Sequence, residues 1–435
     1  MTTTLFNNIF EGYAYSYPHK HSYRKLDPLS IQTLWEQEKK DALFLYIHLP
    51  FCEMRCGFCN LFTIAHPQET MVDAYLETLA REATVLKELI LPERFAQLAI
   101  GGGTPTFLNL AQLDKLFSIV RSMGCHPENI PVSFEMSPKT ITREKLDFLL
   151  AQGVDRVSMG IQSFLETEVK ALGRPQKNKE VYEALDLLQE HPFETLNLDL
   201  IYGTPGQTLS SWLHSVQEAI RLGANEVYIY PLYIRPLTGI NKISPIIEDN
   251  RFSFYREAKQ MLSEAGFNQV SMRMFQKRND SIKQIPRSYS CQEDGMIGMG
   301  AGARSYTRTT HYSSEYAVAR HNIKSIIDKY ISRRDLDFNH VDYGIILNKE
   351  ERQRRFIIKS ILHDCGLDID RYGEIFDNDP LLEYPLLLQL MDQGMARLES
   401  GTLRLTDMGI DYSDAIGPDL YSGNIKQLIN DFELQ

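Results

Sequence analysis

Apolar positions along this chain switch between two periods. LFLYIHL (43–49) is a continuous apolar run of strand character, whereas MVDAYLETLAREATVLKELI (71–90) repeats its apolar residues at helical spacing. The switching continues downstream. QLAI (97–100), VSFE (132–135), DRVSMGIQ (155–162), TLNLDLIYG (195–203) and EVYIYPL (226–232) read as strands. Leu110–Met123, REKLDFLLAQG (143–153), EVYEALDLLQE (180–190) and SSWLHSVQEAIRLG (210–223) read as helices, with Gly153 at a C-cap position. Strands alternating with helices of roughly 10–15 residues are the signature of βαβ units around a parallel sheet. About six such units fit between residues 42 and 275, a number that suits a barrel or partial barrel.

The flanks follow other patterns. Residues 1–41 carry aromatics and turn formers, as in EGYAYSYPHKHSYRKLDPLS (11–30), and read as an irregular N-terminal segment. Its tyrosines are expected to pack on the main body; alternatively Lys20, Arg24 and Lys25 meet an anionic substrate. Residues 276–347 read as an extension of the barrel. From residue 348 a small, mostly helical domain is expected. Asn348 and Glu351 suggest a helix N-cap with its reciprocal acid, opening an amphipathic helix that ends at Gly366. A second helix and a short hairpin then suggest a winged-helix-like module, expected to act as a lid or in packing.

Composition narrows the partners. The chain has 435 residues, 43% hydrophobic and 24% charged, with a formal net charge of −11, a soluble globular balance. That charge argues against a general binder of nucleic acid or membrane surfaces. No signal-peptide pattern or membrane-length apolar run is evident, so a cytoplasmic location, where thiols stay reduced, is expected.

Of the six cysteines, Cys125, Cys291 and Cys365 are isolated and read as ordinary small residues. Cys52, Cys56 and Cys59 crowd into FCEMRCGFCN (51–60), directly after the first predicted strand, on a turn containing Gly57. Zinc, with His48 or His66 as a fourth ligand, is one reading, but no second half of such a site is evident. An iron–sulfur cluster is the other, because thiolates are its standard ligands. Three thiolates on a four-iron cluster leave one iron open.

The spacing C-x-x-x-C-x-x-C after a first barrel strand resembles the radical S-adenosylmethionine (SAM) superfamily. The surrounding YIHLPFCEMRCGFC (46–59) resembles its branch of oxygen-independent coproporphyrinogen III oxidases. The resemblance implies an α/β radical SAM (β/α)6 partial barrel, with Cys52, Cys56 and Cys59 holding a 4Fe–4S cluster. It further implies one or two bound SAM molecules, reductive cleavage of SAM to a 5′-deoxyadenosyl radical, and hydrogen abstraction from substrate. Further segments match in order. IGGGTPT (100–106) resembles the segment that receives the SAM amine, through Gly102, Gly103 and Thr104. Glu135 in SFEMSP, Gln162 in SMGIQSF, Arg174 in LGRPQ and Asp199 in NLDLIYGTP resemble SAM-binding positions. Arg174 suits the SAM carboxylate and Asp199 the ribose hydroxyls. Tyr46 and Phe58 match positions that touch SAM, and Tyr233 falls where the family lines a second SAM site.

DGMIGMGAGARSY (294–306), ERQRRFIIKSILHDCGLD (351–368) and GTLRLTDMGIDYSDAI (401–416) carry the resemblance nearly to the end of the chain. It departs at Leu61, where the oxidase has another cysteine, and in the N-terminal segment. The resemblance therefore implies radical chemistry on a small-molecule substrate, a tetrapyrrole among the candidates, with an electron donor such as flavodoxin or ferredoxin. Within it, decarboxylation of coproporphyrinogen III, two-SAM carbon methylation or cyclopropanation, and radical opening of heme stay open. A heme chaperone without turnover and a zinc-stabilised scaffold are the noncatalytic alternatives.

Overall fold

Six parallel strands lie side by side in chain order: β1 (Leu43–Leu49), β2 (Phe95–Gly102), β3 (Val132–Met136), β4 (Arg156–Gln162), β5 (Thr195–Tyr202) and β6 (Glu226–Pro231). In this computed structural model, all residues are described except 1–4, 7, 15, 235–237, 239–248, 278–287, 318 and 433–435. Helices α1 (Glu69–Ile90), α2 (Leu110–Ser122), α3 (Arg143–Ala151), α4 (Glu166–Ala171), α5 (Asn178–Gln189) and α6 (Leu209–Arg221) supply the crossovers. The βα rhythm read from the sequence is therefore present, with boundaries shifted by only a few residues.

The strands bury one face completely. Leu45, Ile47, Leu98, Ile100, Val132, Phe134, Val157, Met159, Leu198, Leu200, Val227 and Ile229 are at most 1% exposed and belong to one continuous core with the helices. Intervening positions carry Tyr46, Glu135, Ser158, Asn197, Asp199, Tyr228 and Tyr230. Period two thus puts an apolar face under the helices and a polar face inside. The inner floor is closed by Arg156, which donates from Nε to Glu226 at 3.1 Å and from Nη1 to Ser133 at 2.7 Å.

The sheet extends well beyond the parallel centre, to 13 strands. Past β6 it adds Met274–Lys277 and Phe267–Gln269. Past β1 it adds Met296–Met299, still parallel, then Arg304–Tyr306, Thr310–Ser313, His340–Ile346 and Arg24–Ser30, all antiparallel. The sheet curls. Arg304 on this wing and Asp199 on β5 both lie within electrostatic reach of Tyr13. Of the expected extension, residues 278–287 lie outside the described residues.

Two local readings change. Arg24–Ser30, expected to be irregular, is an edge strand, and Ile31–Trp35 is a short helix. The N-terminal basic residues are also committed elsewhere. Arg24 donates to the carbonyls of His21 and Tyr23, each at 2.8 Å, and Lys20 sits 3.6 Å from the Tyr316 ring centre. Lys25 is exposed. The tyrosines do pack on the body: Tyr17 and Tyr23 are 2% and 1% exposed.

Beyond residue 348 the order is helix Lys349–Ile361, strand Leu367–Asp368, helices Ile369–Phe376, Pro380–Glu383 and Pro385–Asp392, and hairpin Ala396–Glu399/Thr402–Leu405. A three-stranded sheet, Leu367–Asp368 and the hairpin, lies among these helices. Asn348 caps the first helix, accepting from the Glu351 N–H at 2.9 Å. The Glu351 carboxylate does not return to the cap. It accepts instead from the Tyr17 and Ser422 hydroxyls, tying the N-terminal segment to the C-terminal one. A second buried core, including Tyr17, Tyr23, Phe356, Ile357, Leu387 and Ile416, joins these segments.

Candidate functional site

The carboxyl ends of β1–β4 converge on the cysteine loop. Phe51–Cys52 pairs with Ile64–Ala65, pinning both ends of the loop, and Cys59 N–H donates to the Cys56 carbonyl at 3.1 Å. Gly57 lies against the turn before Arg174. A Cβ there would come within 2.8 Å of the Leu172 carbonyl oxygen. All three thiols are reduced and half-buried. Cys52 Sγ lies 3.6 Å from Thr104 Oγ1, and Cys56 Sγ lies 3.2 Å from Arg174 Nη1. Burial pushes the Cys52 thiol up to about 12, with Thr104 pulling it back down. Burial also raises Cys56, opposed by the Arg174 guanidinium.

The geometry separates the two metal readings. One tetrahedral zinc, at about 2.3 Å from each sulfur, gathers thiolates to about 4 Å from one another. The three sulfurs here do not all fall within 4.8 Å. The His/Cys/Asp/Glu trio that does, among the described residues, is the solvent-edge group His363, Asp364 and Cys365. Neither histidine proposed as a zinc ligand is poised for it. His48 is buried with both nitrogens engaged, Nδ1 to Tyr46 Oη at 3.1 Å and Nε2 to the Phe62 carbonyl at 3.0 Å. Burial lowers it to about 4. His66 is exposed. Wider spacing and a single set of three thiols, with no fourth ligand beside them among the described residues, fit a polynuclear iron–sulfur cluster with an open position.

The glycine turn packs onto this loop. Gly103 N–H donates to the Leu49 carbonyl at 2.8 Å and Thr104 N–H to the Phe51 carbonyl at 2.7 Å. Gly102 has φ +107°, and a Cβ there would strike the His48 ring at 2.4 Å. Its N–H donates to Glu135 Oε2 at 3.0 Å. Close approach, with left-handed backbone at Gly102, is why side chains are excluded here.

Glu135, near the end of β3, is exposed, yet the atoms crowded around its carboxyl raise it to about 7, chiefly by desolvation, against the opposing Gly102 N–H. Asp199, raised to about 6 chiefly by burial, is steadied by Asn197 Nδ2 at 2.9 Å and Ser158 Oγ at 3.3 Å. Tyr46 lies close to Glu135, and both burial and that carboxylate raise its phenol. Gln162 ends β4 with φ +71° after a bulge. Arg174 is triply held: Nη1 on Cys56, Nη2 on the Gly160 carbonyl at 2.9 Å, and Nε on Gln176 Oε1 at 2.8 Å. Phe58 packs beside Leu172, Ile201 and Leu232.

The structure thus brings Cys52 to Thr104, Cys56 to Arg174, and Gly102 to Glu135, with Tyr46 and Asp199 in the same interior. Tyr233 is engaged by the C-terminal segment. Its hydroxyl donates to Asp414 Oδ2 at 2.5 Å, at the C-terminal segment. Leu61, the departure from the oxidase, is 50% exposed. Sequence reading missed Ser158 and Asn197, which position Asp199. Their signal is the polar alternation along β4 and β5.

The model of the radical SAM superfamily matches residues 46–219, the stretch that builds this site. The chain carries a radical SAM domain. The cofactors of a radical SAM domain are a 4Fe–4S cluster and S-adenosylmethionine. Beyond that domain the likeness runs through most of the chain. It is 26% identical over 440 residues to the oxygen-independent coproporphyrinogen III oxidase of Salmonella typhimurium, covering 92% of this chain and 93% of the relative. It is 28% identical over 378 residues to the heme chaperone HemW of Bacillus subtilis, covering 84% and 95%. In fold it matches coproporphyrinogen III oxidase (HemN) from Escherichia coli, with a TM-score of 0.76, 24% identity, and coverage of 89% and 92%. The radical SAM domain therefore sits in an α/β fold of the same overall architecture as that oxidase.

Proposed function

We propose that this protein is a radical SAM enzyme that abstracts hydrogen from a tetrapyrrole substrate held in the curled interior. The observation that carries the reading is the meeting of a three-thiol loop with Thr104 and Arg174 at one mouth, beside the polar strand residues Glu135 and Asp199. Cys52, Cys56 and Cys59 would hold the cluster. When bound, the cluster supplies the electron that splits S-adenosylmethionine and so provides the radical chemistry.

The chain's own residues do the rest. Arg174 presents a fixed guanidinium suited to a carboxylate. Asp199, oriented by Ser158 and Asn197, accepts hydroxyl donors. Glu135 offers an acceptor for an amine, as do the carbonyls of the glycine turn. Residues 42–275 would form the catalytic unit, with residues 1–41, 276–347 and 348–435 closing it. Tyr233 would line a second SAM site, and an acidic ferredoxin or flavodoxin would supply electrons.

Anaerobic, cluster-reconstituted protein with SAM, reductant and tetrapyrroles tests the reading by mass spectrometry. Formation of 5′-deoxyadenosine with a changed tetrapyrrole is expected. The product separates the activities: carbon dioxide marks decarboxylation, S-adenosylhomocysteine marks methylation, and an opened ring marks heme cleavage. The likeness to HemW supports a second reading, heme binding without turnover. Cysteine-to-alanine changes at 52, 56 or 59 are expected to abolish SAM cleavage while leaving a folded chain, checked by circular dichroism. Deoxyadenosine from all three variants would refute the cluster assignment.

A further inference from the structure

A second group of charged residues lines the same interior, away from the thiols. Arg304 lies on strand Arg304–Tyr306, His311 on strand Thr310–Ser313, and Arg355 on helix Lys349–Ile361 of the C-terminal segment. They meet around one ring. The guanidinium carbons of Arg304 and Arg355 lie 5.8 and 6.0 Å from the Tyr306 ring centre, and the His311 ring centre is 4.3 Å from it. Tyr306 and His311 are direct cross-strand neighbours.

The group is cationic. Among the described residues, neither Arg304 nor Arg355 forms an ion pair. Arg355 donates only to main-chain carbonyls, of Gln292 at 3.1 Å and Cys291 at 2.5 Å. Lys359, one helical turn on, adds its charge to the potential felt by His311. His311 is 1% exposed, yet neither ring nitrogen has a hydrogen-bond partner among the described residues. A buried guanidinium, a half-buried one and an unsatisfied buried imidazole side by side are costly unless something compensates them.

We propose that Arg304, Arg355 and His311 form an interior anion site that receives a carboxylate of the substrate. It rests on the reading above that a tetrapyrrole occupies this lumen. The group lies beside the catalytic strands: Tyr46 pairs with Gly298, which sits against the Arg304 backbone, and the Tyr46 phenol feels both Glu135 and Arg304. A planar substrate anchored here by an acidic side chain would present its opposite edge to the thiol loop. Burial and the neighbouring cations hold His311 neutral, so its N–H can complete the carboxylate's hydrogen bonds while the arginines supply the charge.

The same chemistry has a second source, the carboxylate of a SAM molecule, and the test separates the two. Cluster-reconstituted protein is titrated anaerobically with coproporphyrin III, with heme, and with their methyl esters, by absorbance; SAM is titrated separately. Wild-type protein is expected to bind a free acid at least tenfold more tightly than its ester, a comparison that needs no variant. Arg304→Gln and Arg355→Gln are expected to weaken free-acid binding at least about tenfold and to leave ester binding nearly unchanged. Equal affinity of wild-type protein for acid and ester would overturn the site while leaving the tetrapyrrole reading intact. Failure of every porphyrin to bind would overturn the tetrapyrrole reading itself, and the site with it. Loss of SAM affinity in the variants, with porphyrin binding kept, would overturn the assignment to substrate.

Discussion

At the scale of single residues, the site depends on side chains whose charge is set by enclosure. Glu135 is raised from 4.5 to about 7, chiefly by burial. Between those values the folded chain holds a proton that the unfolded chain has released. Its stabilising contribution is therefore full below about pH 4.5 and fades as pH rises through 7. Cofactor-free protein should melt at progressively lower temperature across that interval, and Glu135→Gln should flatten the slope in a pH series of thermal melts. Arg174 acts differently. Its guanidinium is already held by Gly160 and Gln176, so little ordering is left for binding. Arg174→Ala should weaken SAM binding by at least about tenfold in calorimetric titration, with little change in melting temperature. The cysteine loop was legible because three thiols in eight positions have few other uses. Arg304, His311 and Arg355 were not, because a strand, its neighbour and a distant helix bring them together only in the folded chain.

Among elements, the alternation of apolar and polar residues carried the reading of β1–β6. It also contained the polar lumen, since Tyr46, Glu135, Ser158 and Asp199 occupy the positions between core residues. The strand Arg24–Ser30 escaped notice for a physical reason. RKLDPLS is charged and contains Pro28, and its register against His340–Ile346 shifts between Lys25 and Leu29. Proline and charge are tolerated there because the strand lies at a sheet edge. Helix α1 shows how the parallel centre is fixed to its wing. Glu82 on this helix accepts from the Gly300 N–H at 2.8 Å and the Tyr330 hydroxyl at 2.7 Å. Glu82→Ala would leave both buried donors unsatisfied and should cost about 3 kcal/mol in urea unfolding. Glu82→Gln, which keeps one acceptor, should cost less.

Across the whole molecule, the two ends of the chain close the interior together. Asp414 is 0% and Arg273 2% exposed by side chain, and the two form a buried ion pair across the C-terminal segment and the β6 side of the sheet. Tyr233 donates to the same carboxylate. Removing the acid with Asp414→Ala should destabilise the chain by about 3–5 kcal/mol, because it strands a buried cation. Protease susceptibility of the C-terminal segment should rise in step, which limited proteolysis would show. Sequence reading found this segment's helices and hairpin but not its union with the N-terminus, since hydrogen bonds such as Tyr17 to Glu351 join residues with no local pattern in common.

The edge strand has a consequence for biogenesis. Arg24 pairs with Gly344, so this early strand must wait for a much later part of the chain before it joins the sheet. Until then the thiol loop, whose own strand lies between them in the chain, remains on an unsealed half-shell. Metal delivery during synthesis would find it accessible, and a chain that stalls early would expose both its reactive sulfurs and an unpaired sheet edge to the quality-control machinery.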